Sequence, residues 1–463
     1  MTREVKLSMW VAGGLVALVT AGAQAETVGW RSDWTGRYPD AKPPVNWSKE
    51  QGVVWTCRMP NKSNASPVIV GEKIFVCGEP DLLICVNKAD GKILWQQASP
   101  AWKALPEAEQ AGIQEQIKAA QGTVDEVKKL EREAGGLRRK AREDAAAKTQ
   151  LEALQKQIDE KKAALKPVEK YLPPATHGDN GYASPVPVSD GKVVAAVFGV
   201  GTVAVYDLDG KLLWLKALGA PKQGWGHSAS PVLHGGKLLI QYNGTLLAFD
   251  PATGAEAWKT PARQTWGTPT PLTIGGVDLV VTPVGDFIRI SDGKALAQNL
   301  ATNEYNGAVV QDGVAYFVDE KGAKALKLPA SADEPFKPEE LWKAAPKKER
   351  YYASPLIHEG LIYAVTRYGF MTVLDAKTGA EVATKDFKPE SGSGGGQPFY
   401  PSISLAGPYV VFASEVGKTL VLEPGKDLKM LANNTLEPTK ATPVFEGSRV
   451  YIRGAEHLYC LGQ

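Results

Sequence analysis

The pattern of apolar and polar positions in residues 230–258 predicts four short antiparallel strands joined by tight turns. Two apolar runs flank Gly235-Gly236, and Asn243-Gly244 follows the second run, where a hairpin demands positive φ angles. Asp250-Pro251 then opens a turn that leads to a last strand ending at Trp258. Because four strands of this length cannot bury a core alone, we interpret the stretch as one blade of a β-propeller.

The same pattern recurs along the chain. Strong copies begin at Ser66-Pro67, Ser184-Pro185, Ser230-Pro231 and Ser354-Pro355, and weaker copies begin near Pro271, Ala308, Ser402 and Pro443. From the second copy onward, successive starts are 37–47 residues apart, which is the period expected of four-stranded propeller blades. The eight copies predict an all-β fold, an eight-bladed β-propeller over residues 52–463.

The two ends of the repeated region complement each other. Residues 53–56 resemble an outer strand with no inner strands before it, and the last copy stops after three strands. We therefore predict that the N-terminal strand completes the eighth blade and leaves no free sheet edge.

Residues 101–170 interrupt the repeat between blades 1 and 2. Apolar residues recur there at steps of three and four, first from Ile113 to Val127 and again from Leu151 to Leu165, with Gly135-Gly136 between them. This pattern predicts an inserted antiparallel α-helical coiled-coil hairpin. It serves either as an arm that contacts another protein or as an insertion stabilised by its own apolar seam.

The first 51 residues precede the repeats. Arg3 and Lys6, an apolar run over residues 9–19, and Ala23-Gln24-Ala25 predict a secretory signal peptide of residues 1–25, cleaved after Ala25. The protein is therefore expected in the periplasm or outside the cell, without a transmembrane segment. Residues 26–51 contain three Trp and a Pro-Pro pair, and we expect an aromatic arm that covers a blade edge on the propeller surface.

The chain is nearly neutral, with a formal net charge of +2, so nucleic acid and anionic membranes are not expected as partners. The Gly-rich run of residues 391–396 lacks a Lys-Ser/Thr ending and is expected to be a loop. Four cysteines are expected to be buried as small apolar side chains: by strand alignment Cys77 should lie opposite Leu82, with Cys85 on the other face, and Cys460 opposite Val54. A pairing of Cys57 with Cys460 stays open.

The blade ends carry a resemblance to a known family. The turn Leu374-Asp375-Ala376-Lys377-Thr378-Gly379, and Ala89-Asp90-Gly91-Lys92 before Trp95, resemble the repeat of the PQQ-binding-like, or quinoprotein-like, β-propellers, whose members include BamB-type scaffolds and pyrroloquinoline quinone (PQQ) dehydrogenases. Outer-strand tryptophans are expected to fill the gaps between blades, and five are present: Trp55, Trp95, Trp214, Trp258 and Trp342. BamB-type scaffolds are commonly lipid-anchored, whereas no Cys follows the predicted cleavage site here, so a non-lipidated relative is expected.

The segments that precede each blade should meet at one mouth of the central channel. They contain aromatic and His residues that we predict to form a platform for a ligand or partner: His177, Tyr182, Trp225, His227, Trp266, Tyr305, Tyr352 and Tyr400. The alternative is that these side chains only seal the mouth. His227 is expected to be a hydrogen-bonding rim residue, because no second ligand stands at metal-binding spacing.

A PQQ dehydrogenase would imply a bound quinone, a calcium ion held by Glu and Asn, an Asp base and an adjacent Cys-Cys disulfide. No adjacent Cys pair occurs, and the Asp residues fall mainly in turns. We therefore predict no catalytic residues, no metal and no cofactor. The expected function is a non-catalytic scaffold that binds an envelope protein or peptide. A small-ligand or carbohydrate binder at the channel mouth and a PQQ-dependent dehydrogenase are the alternatives.

Overall fold

The computed structural model describes residues 28–388 and 398–462. The predicted signal peptide and the Gly-rich run of residues 391–396 lie outside the described residues. Eight sheets, each with four antiparallel strands, form the β-propeller, and the predicted eight-bladed architecture is confirmed. Within the described ranges, no helix has the length and apolarity that crossing a membrane requires.

The blades follow chain order, and the strands within each blade run from the first to the fourth. Blades 1 to 4 consist of Val68–Val70, Lys73–Gly78, Leu82–Asn87 and Ile93–Ala98; Val188–Ser189, Val193–Phe198, Thr202–Asp207 and Leu212–Ala217; Val232–His234, Lys237–Tyr242, Thr245–Phe249 and Glu256–Pro261; and Thr270–Ile274, Val277–Val281, Phe287–Arg289 and Ala295–Ala297.

Blades 5 to 8 consist of Val309–Gln311, Val314–Asp319, Gly322–Lys327 and Glu339–Ala344; Leu356–His358, Leu361–Val365, Phe370–Asp375 and Glu381–Asp386; Ser404–Ala406, Tyr409–Ala413, Lys418–Leu422 and Met430–Thr435; and Val444–Glu446, Arg449–Arg453, His457–Leu461 and Val53–Arg58. The outer strand of blade 8 thus comes from the beginning of the described chain, and Thr56 lies opposite Tyr459. The first strands of successive blades are neighbours around the axis, so each blade points outward from the channel.

An outer-strand Trp of one blade packs on a turn glycine of the next blade at five of the eight blade interfaces. The pairs are Trp55 with Gly91, Trp95 with Gly210, Trp214 with Gly254, Trp258 with Gly293 and Trp342 with Gly379. A Cβ at Gly91 would stand 2.6 Å from the Trp55 ring, and φ there is +73°. The indole N–H of Trp55 donates to the Lys88 carbonyl at 3.0 Å, so the ring is held at its polar edge as well.

The interface between blades 7 and 8 uses a different Trp. Trp47 is 3% exposed and packs among apolar residues of both blades, including Ala432 and Val450. Its backbone N–H donates to the Asn434 side chain at 2.8 Å, and Asn434 donates in turn to the Val45 carbonyl at 2.9 Å. The chain that leads to the closing strand therefore fills a gap for which blade 7 has no Trp.

The aromatic arm pairs with inner blade edges, so it covers sheet edges as expected, but it lies in the centre of the ring and not on the propeller surface. Val28 pairs with Ser189 of the first strand of blade 2, and the short strand Arg37–Tyr38 runs parallel to the first strand of blade 7. Between them Arg31, which is 2% exposed, donates to the carbonyls of Pro355 and Ile403 at 2.8 and 2.9 Å. First strands line the channel, so the arm occupies it.

The insertion contains two α-helices, Glu107–Leu137 and Ala145–Leu165, with 3₁₀ turns at Ala101–Ala104, Lys140–Arg142 and Glu169–Tyr171. Their mutual contact includes an ion pair between Lys162 and Glu131, with Nζ and Oε1 2.7 Å apart. Gly135 and Gly136, predicted to separate the helices, lie inside the first one. The second helix begins at Asp144, whose carboxylate accepts the Ala146 amide at 2.8 Å as an N-cap.

The four cysteines are buried and free, as expected. Two expected alignments are wrong by one residue. Cys77 lies opposite Leu83, so Cys77 and Cys85 share a sheet face and one core. Cys460 lies opposite Trp55, because the closing strand has a bulge between Val53 and Trp55.

The first testable prediction concerns the closing interface. Trp55→Ala should lower the free energy of unfolding by about 3–5 kcal/mol, since it empties a space bounded by a backbone turn that cannot collapse. Val54→Ala is the matched control, because Val54 is 41% exposed, and it should cost less than about 1 kcal/mol. Urea unfolding followed by circular dichroism measures both. Equal losses for the two variants would contradict the role of Trp55.

Candidate functional site

A cavity of about 490 Å³ opens at one mouth of the channel, where the segments that precede each blade converge. Its described lining combines hydroxyl, aromatic and charged side chains: Trp30, Asn64, Ser66, Asp179, Asn180, Ser184, Trp225, Ser228, Ser230, Trp266, Thr268, Tyr305, Arg350, Tyr352, Ser354, Arg367, Tyr368, Tyr400, Ser402, Lys440 and Thr442. The volume is in the range of pockets that bind drug-sized ligands.

A belt of hydroxyl groups surrounds the throat of this cavity. At most blade junctions an amide at the start of one blade donates to a Ser or Thr hydroxyl at the start of the next. The pairs are Val186 with Ser230, Ser230 with Thr268, Gly307 with Ser354, Ser354 with Ser402, Ser402 with Thr442 and Thr442 with Ser66, all at 2.9–3.2 Å. The Ser of the repeated Ser-Pro pair thus joins neighbouring blades. A hydroxyl that accepts an amide hydrogen keeps its own proton to donate.

An arc of four aromatic rings forms one wall of the mouth. Trp266 stacks on Tyr305 with ring centroids 5.5 Å apart, and Tyr305 meets Tyr352 edge to face at 5.1 Å. Tyr352 then stacks on Tyr400 at 5.0 Å, with the planes 10° apart. We call these four residues the aromatic arc. Each ring is held by a neighbour, so the arc is a preformed apolar surface beside polar groups.

The opposite wall is the segment that leads from the helical insertion into blade 2, residues 172–183, which we call the return segment. Its His177 ring lies 3.8 Å from the Trp225 ring, and its Asn180 side chain donates to the Trp225 carbonyl at 2.7 Å. At the other end, Lys440 donates to the Asp179 carbonyl at 3.0 Å. The return segment therefore reaches from the beginning of blade 3 to the beginning of blade 8.

Three cations project into the cavity, and sequence reasoning did not identify them. Lys440 lies 4.6 Å above the Tyr400 ring, Arg350 lies 5.6 Å from the Tyr305 centroid, and Arg367 lies 4.3 Å from the Tyr368 centroid. Arg350 precedes the Tyr351-Tyr352 pair, which is the signal that could have revealed it. Arg367 comes from the turn between the second and third strands of blade 6, and these turns open to the same mouth.

The structure brings five of the eight predicted platform residues into the cavity lining. They are Trp225, Trp266, Tyr305, Tyr352 and Tyr400. His177 supports Trp225 from outside the lining, and Tyr182 donates its hydroxyl to the Pro174 carbonyl at 2.6 Å within the return segment.

His227 is buried beneath the rim, deeper than the position on the rim that was expected. It is 1% exposed, and its ring meets Tyr242 edge to face at 4.9 Å. Burial lowers the pKa of His227 to about 4, partly offset by a hydrogen bond that the imidazole makes to the Ala229 backbone. The imidazole is therefore neutral at neutral pH.

The floor of the cavity comes from the aromatic arm. Trp30 lines the cavity directly. The next residues turn sharply, with φ of 54° at Arg31, 65° at Ser32 and 68° at Trp34, a left-handed backbone that non-glycine residues rarely adopt. Burial lowers the pKa of Arg31 to about 10, so its guanidinium remains charged at neutral pH. The arm thus closes the channel beneath the cavity.

The described lining of the cavity contains no Glu that could join an Asn in holding the calcium ion of a quinone-dependent dehydrogenase. In the described part of the chain, no group of three or more His, Cys, Asp or Glu side chains is placed to hold a metal ion. Asp179 lines the cavity, but its carboxylate is paired with Lys440 at 3.2 Å. We derive no catalytic step through such a group.

Comparisons with known proteins agree with this architecture. The family model described as outer membrane protein assembly factor BamB matches residues 12–133 and 199–327, together more than half of the chain. BamB from Moraxella catarrhalis is similar in structure, with a TM-score of 0.56 and 11% identity over 89% of this chain and 97% of that one. No curated protein sequence matches the chain.

Two further solved structures share the fold. A europium-containing methanol dehydrogenase has a TM-score of 0.56 and 12% identity over 93% of this chain and 96% of that one. The computationally designed Ika8 protein has a TM-score of 0.52 and 11% identity over 89% of this chain and all of its own. At such identities the likeness establishes the fold alone.

A second prediction follows from buried His227. Its pKa is about 4 in the folded protein and about 6.5 in the unfolded chain. As pH falls from 6.5 toward 4, the unfolded chain binds the proton first, so the folded protein loses stability. Between pH 7.5 and 5 this group should cost about 2 kcal/mol of unfolding free energy. His227→Phe keeps a ring against Tyr242 and should remove that part of the pH dependence. Urea unfolding at both pH values, with His177→Gln as the surface control, measures it; an unchanged pH slope in His227→Phe would contradict it.

Proposed function

The chain belongs to the PQQ-like β-propeller family, and from that premise we propose that it is a non-catalytic, exported scaffold that binds an envelope protein or peptide at the channel mouth. The observation that carries the proposal is the aromatic arc, a row of half-buried rings beside cationic side chains. Aromatic residues and Arg dominate the binding energy of protein interfaces, because they bury large areas and keep a polar edge.

The closed floor supports a surface-binding role for the mouth. The arm fills the channel, with Trp30 in the floor and Arg31 bonded to blades 6 and 7. A partner segment that enters the mouth therefore meets a bowl of defined depth rather than an open pore. The hydroxyl belt offers donors to the carbonyl groups of an extended peptide.

The helical insertion belongs to the same site in this proposal. We propose that its two helices form a coiled-coil hairpin that contacts the partner beside the mouth. The return segment supports this, since it continues from the second helix and forms one cavity wall through Asn180 and Asp179. A partner held by the helices would thus also touch the side chains of the mouth.

Export, a periplasmic or secreted location and the absence of catalysis are parts of the same proposal. The N-terminal pattern of residues 1–25 supports export. The hydrogen-bond donors that line the cavity support a binding role. The single cavity carboxylate among the described lining residues is engaged by a cation, so it is poorly placed to act as a general base.

Site-directed photo-crosslinking in the native cells tests the proposal. A photoreactive residue at Tyr352 or Tyr400 should yield adducts with an envelope protein, identified by mass spectrometry. Ser448 is the matched control, because it is exposed in the turn after the first strand of blade 8, at the opposite end of the channel. Equal adducts from Ser448, or none from the mouth, would overturn the proposal.

Replacement of the helices tests their part in binding. Substituting a short Gly-Ser linker for residues 106–168 should change the unfolding free energy of the propeller by less than about 1 kcal/mol, because the blades bury their faces against each other. The yield of mouth adducts should fall several-fold. An undiminished yield would show that the helices do not contact the partner, and unfolding of the propeller would show that they are part of its core.

A further inference from the structure

The charges that line the mouth cavity are unbalanced. Its described lining holds Arg350, Arg367 and Lys440 but one carboxylate, Asp179. Lys440 Nζ lies 3.2 Å from Asp179 and 3.7 Å from Glu415, so that cation is already compensated. The remaining positive charge of the lining is carried by the two arginines, whose nearest carboxylates, Glu320 and Glu349, lie outside the lining at 3.8 and 3.9 Å.

The backbones of the two arginines are adjacent, and the guanidinium groups form only long ion pairs with carboxylates outside the cavity lining. The Arg367 amide donates to the Arg350 carbonyl at 2.8 Å, which fixes the spacing of the two backbones. Arg350 Nε is 3.8 Å from the nearest Glu320 oxygen, and Arg367 Nε is 3.9 Å from Glu349, both beyond hydrogen-bonding distance. Arg367 Nε is buried and has no hydrogen-bond partner among the described residues.

A guanidinium in this state selects for a particular kind of ligand. The N–H donors of a guanidinium form a planar fork that matches a carboxylate. A buried N–H without a partner also contributes binding free energy when an acceptor reaches it. An anionic group that reaches a half-buried guanidinium inside a cavity is bound more strongly than one on an open surface, because the effective dielectric is lower.

Aromatic rings flank the arginines on the same wall. Arg350 lies over Tyr305, which stands between Trp266 and Tyr352 in the aromatic arc. The indole N–H of Trp266 is also buried without a hydrogen-bond partner in the described structure. If an aromatic side chain of a peptide stacks on the arc, the next residue of that peptide would thus be close enough to contact the two arginines.

We propose that the mouth recognises a peptide segment in which an Asp or Glu stands next to an aromatic residue, with the carboxylate on Arg350 and Arg367 and the ring on the aromatic arc. This inference rests on the proposed function, whose partner class it narrows. The cavity of about 490 Å³ suits two or three side chains rather than a whole helix.

Calorimetric titration of the mature, full-length protein tests the assignment. The probes are blocked tetrapeptides Gly-Asp-Phe-Gly, Gly-Asn-Phe-Gly and Gly-Asp-Ala-Gly. The first should bind, and the other two should bind at least about tenfold more weakly, because each lacks one of the two recognised groups. Arg350→Gln and Arg367→Gln should each abolish the preference for Asp over Asn, whereas Tyr352→Ala should abolish the preference for Phe over Ala.

Lys348→Gln is the matched control, because Lys348 is an exposed cation on the same segment as Arg350 and does not line the cavity. It should retain both preferences. Thermal melting of every variant verifies that the propeller is folded before titration. Inorganic phosphate and acetate serve as competitors, and displacement of the first peptide by phosphate alone would assign the arginines to a phosphate group instead.

The outcomes separate this inference from the proposed function. If mouth adducts form in cells but the Asp and Asn peptides bind equally or not at all, the acidic-aromatic assignment is wrong and the scaffold function stands. If the mouth gives no adduct and no peptide binds, both proposals fail. A preference for Asp that persists in both arginine variants would also overturn the assignment.

Discussion

The propeller depends on the contact between an indole ring of one blade and a glycine turn of the next. A four-stranded blade leaves two apolar faces, and neither can be covered within the blade. Trp214 covers part of this surface by lying flat on Gly254, where no Cβ stands between ring and backbone, and its N–H donates to the Pro251 carbonyl at 2.9 Å. Glycine is needed at position 254 for two reasons: φ is +72° there, and the Trp214 ring approaches the backbone too closely for a Cβ.

One of the blade interfaces without this contact shows what replaces it. Between blades 7 and 8 the chain itself supplies Trp47 on the way from the channel to the rim, and the closing strand then joins blade 8. The same segment thus fills the axis, one blade interface and one sheet edge. Because these three roles belong to one continuous stretch, closure of the ring and closure of the channel floor are coupled in the structure.

The blades could be predicted from the sequence because their signals are local, as Asn243-Gly244 illustrates for one hairpin. The path of the arm could not, since the partners of Arg31 are carbonyls more than 300 residues away that no local pattern identifies. A bulge explains the misplaced Cys460, because one extra residue beside Trp55 shifts every later pairing of that strand. Cys77 was misplaced by the length of its hairpin turn, which joins Gly78 to Leu82 without a bulge. Connectivity alone identified which residues lie at the mouth, but not how deeply each is buried: His227 and Tyr351 come from the same segments as Trp225 and Tyr352, respectively, but are buried.

The position of the return segment gives the mouth a property that a symmetric propeller would lack. Seven of the eight segments that precede blades are short, so their side chains alone would form a shallow ring of similar depth. The return segment of the inserted helices instead spans from Trp225 to Lys440 and covers one half of the mouth, opposite the aromatic arc. The asymmetry places anchored polar groups on one wall, and stacked rings with the two arginines on the other. Under the proposed function, this asymmetry would orient a ligand as well as bind it, because one wall would accept both its ring and its charge.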